Sequence, residues 1–444
     1  MKKQPSIFED LGASRLWLTL GIGIKRWLVI LAFGALLAGT GIGSLLLILG
    51  QKELLPTNLF ALLTLQFLPT GLRILVPFLL GGALIILAIL RLGNNLVAPF
   101  KQPGVDVAHS LTSYNQRQRG PRIVAIGGGT GMPNLLRGLS RYTNNITAIV
   151  TVADDGGSSG RIRRELGLLP PGDFRNNIAA LAQDEALMTQ VLQYRFGRRL
   201  AGDNLEGESG ELQGHSFGNL LLAALTGVTG SFDEALIAAG RVLAIRGQVL
   251  PSTLFPVTLT ATIISGVDGT AMQVVGESAI TEAEGQVEQV RLDPDLVPAY
   301  PPTVKAILQS DLVVIGPGSL YTSILPNLLV PDIARALIHT QAKRIYVCNL
   351  ATQPGETDNY SVANHVAAIH RHVSHLDPDG QGCMDVILAN NNLSVPPGTG
   401  GGDTVFVLPE PVDDIRYVTA DLVDEERPWR HDSNKLAKTV MSFA

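Results

Sequence analysis

Arg122–Leu139, RIVAIGGGTGMPNLLRGL, reads as a strand, a glycine turn and a helix. Ile123, Val124 and Ile126 form the short apolar run of a buried parallel strand. Gly127, Gly128, Gly129 and Gly131 strip the turn of side chains, with only Thr130 among them, so backbone N–H groups can approach a ligand closely. Pro133 suits the first turn of a helix, where its missing N–H costs nothing. Leu135, Leu136 and Leu139 then recur at helical spacing. Bare amides beside a helix N-terminus attract anions, phosphate above all. The spacing is G-x-G-x-G rather than G-x-G-x-x-G, which argues against a nicotinamide cofactor. A tight turn that binds nothing is the competing reading.

Downstream of Pro121, apolar runs alternate with helical patterns, which predicts an α/β domain with a largely parallel sheet. Ile146–Val152 is the second strand and ends in ADDGGSSG, which places Asp154, Asp155 and Ser158 at a strand's carboxyl end. Asp173 reads as an N-cap for a helix over Ile178–Leu181. Further strands are expected at Thr258–Ile264, Leu312–Ile315, Arg344–Val347 and Asp385–Ala389, with a small β excursion over 262–292. Residues 198–214 read as a surface loop or lid, and RHDSNKLAKTV as a terminal helix. In an open parallel sheet, loops at the carboxyl ends share one edge, and ligands bind there. The loops 127–131, 154–160, 215–219, 316–323 and 350–357 are expected to converge on that edge. Two of them, 127–131 and 316–319, could each hold one phosphate of a nucleotide diphosphate. Asp154 sits where a dinucleotide fold places the carboxylate that accepts ribose hydroxyls; a Mg²⁺ ligand, with Asp155, and a plain N-cap pair are its alternatives. Tyr321 reads equally as a stacking platform or as core. His365, His370, His372 and His375 match no zinc spacing and read as a polar helix surface.

The chain has 444 residues, 46% of them hydrophobic and only 16% charged, with a mean hydropathy of +0.24. That is too apolar for an ordinary soluble enzyme and implies a membrane portion beside a globular one. The net charge of −5 leaves no basic footprint for nucleic acid. Cys348 and Cys383 give neither a disulfide framework nor a metal motif. Trp27–Gly50 runs without a charge for longer than the roughly 20 residues a bilayer needs. A second uncharged run, Ile74–Leu90, is flanked by Arg73 and Arg91, which can snorkel. A buried helical hairpin is the alternative. Lys and Arg cluster outside the two runs, which predicts both termini in the cytoplasm. The expected order is a cytoplasmic segment 1–26, a two-helix transmembrane hairpin 27–91, a linker 92–120 and a cytoplasmic domain 121–444. The expected localisation is the cell membrane, multi-pass.

IGGGTG, ITAIVTVADDGGSSGR, PPGDFRN, GHSFGNLLLAAL, GQVLPST, GPGSLYTSILPNLLV, TQPGET and the terminal RHD together resemble the YvcK/CofD-like family, in its gluconeogenesis-factor branch. The resemblance runs from about residue 121 to the C-terminus. It implies a Rossmann-like fold with helices on both faces of the sheet. It also implies binding of a UDP-sugar, notably UDP-N-acetylglucosamine, and a role in carbon-source use, cell-wall precursor supply and cell shape, with no established turnover. The related CofD branch transfers a 2-phospholactyl group from a nucleotide-activated donor with Mg²⁺. Carried over by motif, Gly127–Gly131, Asp154, Asn176, His215, Asn219, Gly316, Gly318, Ser319, Thr352 and Gln353 line the nucleotide cleft, and Arg430 is a diphosphate contact. Met132-Pro133 stands where the family has Leu-Ser, Ala351 where it has Met, and the first 120 residues lie outside the family core.

These readings lead to a membrane-anchored UDP-sugar sensor, alone or with a protein partner or a second copy. A CofD-type transferase is the rival. A nicotinamide oxidoreductase is disfavoured by the glycine spacing.

Overall fold

The computed structural model describes residues 25–52, 54, 56–97, 117–197, 212–265, 269–394 and 405–444. Most of the expected segment 1–26, most of the linker 92–120 and most of the expected lid 198–214 lie outside the described residues. The chain divides into two compact units, 1–116 and 117–444.

In the first unit, helices Lys25–Gln51, Thr57–Leu63 and Thr70–Val97 follow one another. Phe33–Gln51 has a mean hydropathy of 1.9 and no buried residue, and is long and apolar enough to cross a membrane. The apolar part of the third helix, Thr70–Ile85, is shorter than a span requires. Among the described residues one candidate span therefore stands, where the sequence suggests two. Pro77 lies inside that third helix.

The second unit holds a seven-stranded, wholly parallel sheet with helices on both faces. Its strands are β1 (Ile123–Gly127), β2 (Ile146–Val150), β3 (Gln248–Pro251), β7 (Leu312–Ile315), β8 (Lys343–Val347), β9 (Val386–Asn390) and β10 (Arg416–Ala420). The spatial order is β10-β9-β8-β7-β1-β2-β3. All residues of β1, β2, β7 and β9 are buried, which explains their unbroken apolar runs. Ile123 pairs with Ile146 on one side and Leu312 on the other, and the register holds along β1.

The excursion is a three-stranded antiparallel sheet of β4 (Thr258–Ile264), β5 (Ala271–Val275) and β6 (Gln286–Asp293), in the order β5-β4-β6. Burial alternates strictly along β4, so one face of this small sheet meets the core and the other meets water.

Candidate functional site

The chain leaves β1 towards β2 and β3 on one side, and returns through β7 to β8, β9 and β10 on the other. The switch point of the sheet is therefore the seam between β1 and β7, where ligands of such folds bind. The two glycine loops meet there. A side chain on Gly131 would come within 2.7 Å of the Pro317 carbonyl oxygen. Fully buried Asn327 ties the loops together from below: its Nδ2 donates to the Gly127 carbonyl at 2.9 Å and to the Ser323 carbonyl at 2.7 Å. Between Ser319 and Asn327 the chain makes a π-helical turn, Leu320–Ile324, before the helix Leu325–Leu328. Such turns recur at functional sites.

The wall on the β2 side is acidic and polar. The helix Gly172–Leu181 carries Asp173 in its first turn, and Asp173 Oδ2 accepts from Gly129 N–H at 2.7 Å. Gly129 has φ +63°, which fits glycine. Burial, then the neighbouring Asp154 charge, push the Asp173 carboxyl up to about 6. Burial also raises Asp154, whose Oδ1 accepts from Gly156 N–H at 2.9 Å. Ser158 Oγ lies 3.0 Å from His215 Nδ1 and accepts from Asn219 Nδ2 at 3.1 Å. Burial lowers the His215 pKa, so its ring is neutral near pH 7. Arg175 donates to Ser216 Oγ at 2.6 Å, to Asn219 Oδ1 at 3.1 Å and to Asn176 Oδ1 at 2.9 Å. Asn219 and Ser158 are thus held from both sides in one geometry. His215 has no carboxylate hydrogen-bonded to it among the described residues, so the Ser158–His215 pair lacks the orienting acid of a catalytic triad.

The opposite wall is an amide chain. Gly318 N–H donates to Asn349 Oδ1 at 3.1 Å, Asn349 Nδ2 to Gln353 Oε1 at 3.2 Å, and Gln353 Nε2 to Ser319 Oγ at 2.7 Å. Behind it, Thr322 Oγ1 donates to the buried Glu356 at 3.1 Å, and burial pushes that carboxyl up to about 7. The helix Glu277–Glu282 follows β5 and adds Glu277. Burial first, then the charges of Asp154, Asp173, Asp155 and Glu356, raise it to about 8.

Several expected residues stand elsewhere. Asp155 Oδ1 accepts from Ser278 N–H at 2.9 Å and so caps the helix Glu277–Glu282. Among the described residues no three His, Cys, Asp or Glu side chains form a metal-ligand group. Asp154 and Asp155 each commit one carboxylate oxygen to a backbone N–H, of Gly156 and of Ser278. Tyr321 is fully buried, with its hydroxyl 2.8 Å from that of Tyr360, so it packs in the core instead of stacking on a ligand. Thr352 is buried and bonded to Val405 through both its N–H and its hydroxyl. Arg430 is half-exposed; burial and the charges of Arg427 and Arg137 lower its pKa. Thr130 is exposed at the tip of its loop. The loop 215–219 follows no strand of the large sheet. It enters the helix Phe217–Thr229, capped by Ser216. His365 and His372 are buried, the latter accepting from Val290 N–H at 3.0 Å, so only half of the histidine cluster is surface. Asp173, Glu277, Asn327, Asn349 and Glu356 were not legible as site residues. The PPGD and TQPGET motifs mark Asp173 and Glu356, but nothing in the sequence says where they point. A hollow of about 320 Å³ lies at the other end of the strands, lined by Arg122, Asn144 and Gln248. The convergence of loops, and not that hollow, locates the site.

Residues 123–400 match the family model described as 2-phospho-L-lactate transferase CofD. A relative from Nostoc sp. (strain PCC 7120) is 42% identical over 96% of this chain and 92% of its own. The gluconeogenesis factor of Bacillus subtilis (strain 168) is 47% identical over 61% of this chain and 79% of its own. A crystal structure of a UPF0052 family protein from Bacillus halodurans superposes with a TM-score of 0.63 at 39% identity, covering 72% of this chain and 99% of that one.

Proposed function

The chain belongs to the CofD family, with gluconeogenesis factors among its relatives, and from that premise we propose that it is a nucleotide-sugar-binding regulator of carbon flux. Its ligand in this reading is UDP-N-acetylglucosamine, and its outputs are gluconeogenesis, cell-wall precursor supply and cell shape. The observation that carries the reading is the meeting of two glycine loops at the switch point between β1 and β7, walled by fixed amides and hydroxyls. Ser158, Asn176, Asn219, Ser319 and Gln353 offer neutral groups suited to ribose and sugar hydroxyls. The amides of the Gly127–Gly131 loop other than that of Gly129, which Asp173 holds, and Arg430 are the groups suited to a diphosphate. In the same reading the chain is fixed to the cytoplasmic membrane through a hairpin over residues 27–91, of which Phe33–Gln51 is one candidate span.

A transferase of the CofD type is the second reading. The Ser158–His215 contact at 3.0 Å and the carboxyls raised towards neutrality favour it, because groups poised near pH 7 can exchange protons with a substrate. The substitution Asp154→Asn separates the two readings. A regulator shows changed affinity for UDP-N-acetylglucosamine and no turnover before or after. A transferase shows consumption of an activated donor by the native chain and its loss in the variant.

A further inference from the structure

The hollow of about 320 Å³ opens at the amino ends of β1, β2 and β3, away from the glycine loops. Its lining is rich in amide side chains: Asn144 and Asn145 before β2, Gln248 at the start of β3, and Gln309. Asn144 Oδ1 is buried and accepts no hydrogen bond. Gln248 Nε2 donates to Thr147 Oγ1 at 2.9 Å, which turns its amide nitrogen to the strand and leaves its oxygen for another donor.

Two arginines stand at the margin. The Arg117 carbonyl accepts from Asn144 N–H at 2.9 Å, and Arg246 directly precedes Gly247 and Gln248 of the lining. Arg117 Nε is buried without an acceptor. Burial, then the charge of Arg117, lower the Arg246 pKa, and no carboxylate offsets them. Arg122, also in the lining, is already neutralised, because two of its side-chain nitrogens donate to Asp311. Helix carboxyl ends attract exposed cations, but that field does not account for two guanidiniums set close together with a buried Nε left unbonded.

We propose that this hollow is a second binding site, for the phosphate ester of a polyhydroxy compound. The phosphate is held by Arg117 and Arg246, whose planar forks suit bidentate bonds to phosphate oxygens. The hydroxyls of the same molecule donate to Asn144 Oδ1 and Gln248 Oε1. A carboxylate would meet the guanidiniums but bring no hydroxyl to Asn144 Oδ1. A nucleobase would find no aromatic side chain in the lining to stack on. β1 runs from this hollow, at Ile123 and Val124, to Gly127 at the cleft. The two sites therefore stand at opposite ends of one strand, and this proposal does not depend on which ligand the cleft takes.

The test is a calorimetric titration of the full-length chain in nonionic detergent with glucose 6-phosphate, glucose and inorganic phosphate. A parallel titration uses mixed micelles of phosphatidylglycerol, whose headgroup carries the same phosphate ester and hydroxyls. Glucose 6-phosphate is expected to bind roughly tenfold or more tightly than glucose or inorganic phosphate. Binding of phosphatidylglycerol in its place, lost in the same variants, supports the site and assigns the ester to a lipid. Arg246→Gln is expected to weaken binding by roughly tenfold. Asn144→Asp sets a carboxylate against the phosphate and is expected to abolish it, with the circular dichroism of the native fold retained in both. Arg291→Gln removes the same charge from the small sheet and is expected to leave binding unchanged. A native chain that binds neither ester, or glucose 6-phosphate no better than inorganic phosphate, overturns the proposal. So does binding that survives both Asn144→Asp and Arg246→Gln, or that falls as far in Arg291→Gln as in Arg246→Gln.

Discussion

Replacing Asp173 by Asn should stabilise the globular unit at pH 8 and do so far less at pH 5. Burial and Asp154 raise the Asp173 carboxyl from 3.8 to about 6. A folded carboxyl that holds its proton more tightly than the unfolded one loses stability as pH rises from about 4 to about 6. The loss is complete above that window. At RT ln 10 per pKa unit, the ionised form costs about 3 kcal/mol of folding free energy at pH 8. Asn removes this cost but keeps an acceptor for Gly129 N–H, now a neutral one, which forfeits about 1 kcal/mol. The net gain is about 2 kcal/mol at pH 8. At pH 5, midway through that window, about half of the cost remains because the unfolded carboxyl is already ionised, and the net gain falls to about 0.5 kcal/mol. The assay is urea unfolding of the unit from Arg117 at pH 5, 6.5 and 8; the Bacillus halodurans structure shows that a chain of nearly this extent folds alone. Asp173→Ala serves as the companion, because it leaves the Gly129 amide unpaired and should cost about 1–3 kcal/mol relative to Asn. A destabilised Asn variant at pH 8, or a gain that does not change with pH, refutes the reasoning.

Other substitutions test the seam and the core. Gly131→Ala puts a methyl 2.7 Å from the Pro317 carbonyl and forces the glycine loops apart. Calorimetry should show a roughly tenfold or greater loss of ligand affinity, with stability lowered by only about 1–3 kcal/mol. Asn327→Ala removes the side-chain donor to the Gly127 and Ser323 carbonyls, the first of which keeps Thr151 N–H, and should cost about 1–3 kcal/mol in urea unfolding. Arg344 is buried and bonds Asp385 with two nitrogens as well as the Leu337 and Gly382 carbonyls. Its replacement by Ala should cost about 3–5 kcal/mol, measured the same way.

The main sheet was legible because strands buried on both faces must be apolar throughout. Leu312–Ile315 matches its expected bounds, and β2, β8 and β9 fall within two residues of theirs. The edge strands β3 and β10 were missed. β3 is four residues long with a terminal proline, and β10 is only half-buried, so neither shows an uninterrupted apolar run. The glycine loops were legible from composition. Their partners were not, because Asp173 reaches 44 positions back to Gly129 and Asn327 reaches 200 back to Gly127. Such contacts are products of the topology and leave no local pattern. Asp173 illustrates the ambiguity: a carboxylate at a helix start reads as a cap, and here it lies in the first turn and serves another loop. Tyr321 and His372 follow polar-looking motifs into the core, where hydrogen bonds to Tyr360 and Val290 satisfy them.

The most direct test of the central claim is a calorimetric titration of the unit from Arg117 with UDP-N-acetylglucosamine, UDP, GDP and NADH, each with and without Mg²⁺. Selective binding of UDP-N-acetylglucosamine, recovered chemically intact afterwards, is the predicted result. Preference for GDP or NADH, or consumption of the UDP-sugar, contradicts the account.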